Sequence, residues 1–291
     1  MNPRATPIML LCLSLGIPAY LLADRAHDLA GQARSQRAAS CDPSSLDTAS
    51  CHNQFPTGCT DATKPNYDAY LNFLKNQTPG ADIAPSVQLG GDDFLQLESQ
   101  IPTGLRSRNH ARFAVPLADL GEGNIVSVIG YLYFVEDTGK GGNGKRAFGE
   151  TCNCKLQLAD SFDYHLGIGF DAALAQQIQA NHPQPDVHNP GDMEQTSVVA
   201  EMTPHTRDQG WTVDKVNAQQ GKQVKIQGQL MLDNVHFNAH DDCNFTNSDA
   251  NCWRATVWEV HPVTQFFVCN LDAGCNQSSP DSAWTKLSDL P

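Results

Sequence analysis

The sequence predicts a mainly β protein closed into a small barrel. Two observations carry that reading: five segments are rich in β-branched and aromatic residues, and only short helical stretches lie between them. The strand candidates are residues 125–137, 162–170, 197–202, 224–232 and 253–268. The last is centred on Trp258-Glu259-Val260-His261-Pro262, where alternation puts Glu259 and His261 on one face and Trp258 and Val260 on the other. Pro262 has no amide donor, which predicts an edge, a bulge or a bend there. Residues 171–180 read as a helix, and residues 211–220, stopped by Gly221, as a second. Five strands with a helix between the third and fourth match the order of a five-stranded, OB-like Greek-key barrel. A β-sandwich would want about seven strands.

The segments before the barrel divide by composition. Residues 1–23 place one arginine ahead of an uncharged apolar run that is shorter than the ~20 residues of a membrane span. This favours a secretory signal peptide over an anchor, although Leu21 and Leu22 suit cleavage poorly. No later segment is apolar for long enough to span a membrane, so a secreted or periplasmic protein is expected. Residues 24–63 read as a cysteine-containing linker with little regular structure. Residues 64–121 read as a helical extension packed on the barrel, with Asn66 as the expected N-cap and Tyr67, Tyr70, Leu71 and Leu74 as its buried stripe. The barrel occupies 122–268 and a stapled tail 269–291.

All the cysteines but Cys12 follow the signal, as expected in an oxidising compartment. Cys243 with Cys252, and Cys269 with Cys275, flank polar turn-forming stretches and are the expected disulfides. Cys41, Cys51 and Cys59 are left to pair among themselves or with Cys152 and Cys154, and the odd count leaves one thiol over. Cys152 and Cys154 as a soft-metal pair is the less favoured alternative.

The chain carries 19 basic and 32 acidic residues, a formal charge of −13, which disfavours nucleic acid as a partner. The glycine-rich stretch 139–146 nearly matches a phosphate-binding loop, but Arg146 stands where that motif needs Ser or Thr and no helix follows.

Several phrases occur in order: GETCNC (149–154), DYHL (163–166), VVAEMTP (198–204) and RATVWEVHPV (254–263), together with LNFLKN (71–76) and QGQLMLDNVH (227–236). In these the chain resembles a group of uncharacterised bacterial OB-like proteins, a resemblance that implies the fold and no activity. Where the group has Thr-Pro followed directly by Arg, this chain has Thr203-Pro204-His205-Thr206-Arg207.

The phrases hold the candidates for chemistry. His165, Glu201, Asp233, His236, His240, Glu259 and His261 are the ligand-binding or metal candidates, with Glu150, Asp163, Asp241 and Asp242 close by in sequence. Imidazoles and carboxylates are donors that a divalent ion such as Zn or Mn accepts. The competing reading is a polar network that fixes strand register. Three functions follow: an exported module binding an oligosaccharide, a peptide or a protein, a metal-dependent hydrolase, or an envelope-assembly subunit pairing through a sheet edge near Pro262. Tyr131, Tyr133, Trp253 and Trp258 are the aromatic residues available to stack on a sugar.

Overall fold

A computed structural model describes residues 46–58, 68–138, 150–157, 161–246 and 249–291. The expected signal, Cys41, Cys59, Asn66, Tyr67 and the glycine-rich stretch 139–146 lie outside the described residues. Among the described residues no helix is long and apolar enough to cross a membrane.

The five expected strands form a closed, mixed barrel. They are β2 (Ile125–Asp137), β3 (Tyr164–Gly169), β4 (Val198–Met202), β5 (Gln223–Leu232) and β6 (Trp258–Cys269). Around the barrel the order is β2-β3-β4-β6-β5, and β5 closes back on β2. All of these contacts are antiparallel except β4 with β6. The long β2 makes closure possible, because its first half pairs with β5 and its second half with β3. Two short strands are additional. β1 (Val87–Leu89) runs parallel to β2, and β7 (Trp284–Lys286) pairs with the end of β6.

Alternation explains the filling of the barrel. Val126, Val128, Leu166, Ile168, Val198, Ala200, Met202, Val224, Ile226, Leu230, Leu232, Trp258 and Val260 point into one buried apolar cluster. Pro262 sits at a bulge and not at an edge. Between Val260 and Val263, β6 carries one residue more than β5 does between Leu230 and Gly228. That slip turns Val263 to the core, and a second irregularity between Val263 and Gln265 restores the alternation that keeps Phe266 and Val268 inside. β6 pairs with β5 on one side, and on the other it meets β4 at Val260 and β7 at Phe267, Val268 and Cys269. The same strand is shorter at its start than expected, since residues 253–257 belong to the preceding loop.

Seven helices flank the barrel among the described residues: α1 (Thr48–Gln54), α2 (Ala69–Lys75), α3 (Gly91–Ser99), α4 (Ala114–Asp119), α5 (Ala172–Asn181), α6 (Asp192–Gln195) and α7 (Val213–Asn217). α1 interrupts the expected linker. Asp47 caps it, accepting a hydrogen bond from the Ser50 amide at 2.7 Å. α2 is the expected amphipathic helix, with Asp68 as its cap, accepting from the Tyr70 and Leu71 amides. Tyr70, Leu71 and Leu74 pack on the outward-facing Met231 of β5, so α2 lies across the outer wall of the barrel.

Among the described residues three disulfides tie the loops. Cys243–Cys252 and Cys269–Cys275 are the two expected bridges. Cys51–Cys154, spanning 103 residues, fastens α1 to the turn after β2. Cys152 keeps a buried free thiol, so Cys152 and Cys154 do not form a metal-binding pair.

Candidate functional site

Three adjacent strands build the site by register alone. His165 on β3 stands directly opposite Glu201 on β4. Ala200 aligns with Val260 of β6, which brings Glu259 and His261 beside Glu201. All four side chains point outward from the barrel, on the face opposite its apolar filling. An outward face is normally wet, but Glu201, Glu259 and His261 have no exposure at all.

What buries them arrives from elsewhere in the chain. α2 brings Lys75, whose Nζ lies 2.9 Å from Asp233 Oδ2 and 3.2 Å from Glu150 Oε2. The turn holding Glu150, Cys152 and Asn153 covers one side, and the loop after β5 contributes Asp233 and Arg254. Arg254 Nη1 donates to Glu259 Oε2 at 3.0 Å. His261 Nδ1 lies 2.9 Å from Glu201 Oε2 and 3.3 Å from Glu259 Oε1. His165 Nε2 lies 3.2 Å from Glu201 Oε1 and 3.7 Å from Glu150 Oε1. Asn153 Nδ2 donates to Asp163 Oδ2 at 3.1 Å. The result is a polar chamber between the barrel wall and its extension.

The chamber opens at one end. The side chains of His165, His236 and Glu150 retain 12%, 25% and 30% exposure, which places them at the mouth. Trp253 borders the mouth, stacked on His165 at 6.3 Å between ring centroids and edge-on to His236 at 5.2 Å. Its indole nitrogen donates to Asp241 Oδ1 at 3.0 Å, and Asp241 Oδ2 also lies 3.0 Å from His236 Nδ1.

Electrostatics set the protonation states. Burial opposes ionisation of Glu201, but Lys75, His261 and His165 outweigh it and hold the carboxyl well below its usual range. Burial resists charging of Glu150 as well, and Lys75 overrides it, to about 2. Asp163 goes the other way: burial, with the Glu150 and Glu201 charges, pushes it up to about 6. Burial disfavours the charged rings of His165 and His261, yet Glu201 prevails in both, raising His165 well above its ordinary value and His261 to about 10. Burial, helped by Glu150 and Asp163, drives the Cys152 thiol well upward, so it stays neutral and unreactive.

Of the seven residues expected from sequence, His165, Glu201, Glu259 and His261 converge, and Asp233 joins them through Lys75. His236 stands at the rim, 3.9 Å from Asp233 Oδ2. His240 does not join; its side chain is 77% exposed and lies 3.3 Å from Asp249. Lys75 and Arg254 also enter the site, and no motif in the sequence marks them as site residues. Lys75 adjoins the apolar stripe of α2, where a cation has to find buried carboxylates, and that position was its only signal. Arg207 serves the fold: its Nη1 donates to the carbonyls of Phe162 at 2.7 Å and Met202 at 3.0 Å, and its guanidinium lies over Tyr164. Of Tyr131, Tyr133, Trp253 and Trp258, Tyr133 and Trp258 are fully buried, Trp253 is nearly so, and Tyr131 is half-exposed.

Fold and site together define a disulfide-tied, closed mixed β-barrel with a carboxylate–imidazole chamber on its outer wall. No protein-family model, curated protein or solved structure matches the chain.

Proposed function

We propose that the protein is an exported binding module on an OB-like Greek-key barrel, and that the chamber and its mouth are its ligand face. The strand order around the barrel, the long first strand shared by two neighbours and the helix α7 between the third and fourth barrel strands support the OB-like reading. In that architecture ligands lie on the face of the second and third strands, between the loops that follow the first and the fourth. The observation that carries the proposal is the coincidence of that face with the chamber. His165 and Glu201 stand on the second and third barrel strands, Glu150 and Asp163 on the first of those loops, and Asp233, His236, Trp253 and Arg254 on the second. The barrel interior is filled by apolar side chains.

An oligosaccharide or peptide suits this face, because its carboxylates accept from hydroxyl and amide donors. The acidic mouth and the charge of −13 repel phosphate. Titrating the isotopically labelled protein with chitohexaose, an unstructured hexapeptide and oligo(dT) distinguishes these ligands. The expected result is saturable shifts at His165 and Trp253 with the sugar or the peptide and none with oligo(dT). Tighter binding of oligo(dT), or shifts confined to another face, would overturn the proposal.

One observation favours metal-assisted hydrolysis as a second reading: His165 and Glu150 reach solvent while Asp163 and Glu201 stand buried behind them. Failure to hydrolyse p-nitrophenyl acetate and bis(p-nitrophenyl) phosphate with added Zn or Mn counts against it.

A further inference from the structure

We propose that the chamber is a divalent-cation site, holding one zinc or manganese ion between Glu150, His165 and Glu201. The inference deepens the reading of this face as the ligand face and rests on it only for the ion's role. The three donor atoms come from the turn after β2, from β3 and from β4, and lie within 4.8 Å of one another. His165 Nε2 is 3.2 Å from Glu201 Oε1 and 3.7 Å from Glu150 Oε1. Donors spaced this way bracket the ~3.3–3.6 Å edge of a tetrahedron built on zinc bonds of about 2.0–2.2 Å.

A second, independent observation points to an occupant. Neither carboxylate oxygen of the fully buried Glu201 has an aligned hydrogen bond, and His165 Nε2 has none. Behind them, Asp163 Oδ1 and His261 Nε2 belong to fully buried side chains and also lack a partner. Buried polar atoms are ordinarily satisfied by well-aligned hydrogen bonds, so a group of them gathered around Glu201 with only the ion-pair contacts of His165 and His261 leaves donor atoms available to an ion. Charge agrees. The carboxyl groups of Glu150, Asp163, Glu201, Asp233 and Glu259 face Lys75, Arg254 and the rings of His165 and His261, and a bound ion would take the place of the proton on His165 Nε2. The donor chemistry is imidazole and carboxylate, which suits zinc and manganese, while the nearby sulfur belongs to the neutral thiol of Cys152. The side chains of His165 and Glu150 extend to the mouth, so a hydroxyl or carbonyl oxygen of a ligand entering there would complete the ion's coordination.

The experiment uses the full exported chain with its disulfides intact, stripped with a chelator and titrated with ZnCl2 and MnCl2 by calorimetry. One ion per chain is expected, with affinity falling roughly 100-fold or more in His165→Ala and unchanged in His240→Ala. No binding by the stripped wild-type chain, or equal binding by His165→Ala, would overturn the site. If His165→Ala fails to fold, Glu150→Gln and cobalt(II) substitution of the wild type decide. A nitrogen–oxygen cobalt spectrum supports the donor set, and a thiolate charge-transfer band transfers the ion to Cys152 and refutes it. Repeating the sugar and peptide titrations on the stripped chain separates the two proposals, since ligand binding without metal leaves the face intact and removes only the ion.

Discussion

At the scale of residues, two buried clusters of ionisable side chains are handled differently. His110 is enclosed in a satisfied network, with Nε2 at 2.9 Å from Glu122 Oε1 and Nδ1 at 2.9 Å from Asn234 Oδ1. Burial opposes its charge, but the Glu122 carboxylate, with help from Asp68 and Asn234, raises the ring to about 9. The native state therefore holds a proton that the unfolded chain releases near pH 6.5. The stabilisation is fully present below pH 6.5 and is lost as pH rises toward 9, at most roughly 3 kcal/mol. Urea denaturation at pH 6 and pH 9 should show a smaller loss in His110→Gln than in the wild type, and an equal loss in both would remove His110 as the source. The chamber, by contrast, holds Glu201 by the ion-pair contacts of His165 at 3.2 Å and His261 at 2.9 Å, without an aligned hydrogen bond to either oxygen. Its convergence was half legible from sequence: alternation put Glu259 and His261 on one face, but nothing in the chain announced that His165 stands opposite Glu201.

At the scale of elements, the extension decides what the barrel wall becomes. Without α2 and the turn at residues 150–155, the outward row of His165, Glu201, Glu259 and His261 would be a solvated surface. Cys51–Cys154 holds α1 against that turn across 103 residues of sequence, a long closure that restrains the unfolded chain. Replacing both cysteines with serine is expected to cost about 2–4 kcal/mol, measured by denaturant titration, and to speed amide exchange around Glu150. Unchanged stability and exchange would mean that the turn is held by Lys75 and by Asn76, whose amide donates to the Cys152 carbonyl at 3.0 Å. Gly228 plays a comparable part in β5. A Cβ there would collide with the Pro262 carbonyl and the Val260 side chain, so glycine accommodates the bulge that re-aims β6.

At the scale of the whole molecule, an apolar interior and a charged outer chamber share the same strands. β6 carries both, with Trp258, Val260, Val263, Phe266 and Val268 inside and Glu259 and His261 outside. The inside holds the barrel together. Phe266→Ala should therefore destabilise the chain by ~3–5 kcal/mol in urea, since a closed barrel collapses poorly around a lost ring. A loss under about 1 kcal/mol would show that the barrel end repacks.

The sequence by itself determined the strands, their inward and outward faces, the two short disulfide loops and most of the ionisable residues of the chamber. Those features depend on period-two alternation and on neighbours a few residues apart. The tertiary structure alone decided that Pro262 lies at a bulge inside the sheet, that Cys51 pairs with Cys154, and that Lys75 and Arg254 enter the chamber while His240 stays outside. Alternation assigns a side chain to a face but not to a partner, and which strands neighbour one another, in which register and beneath which loop, depends on contacts between residues far apart in the chain.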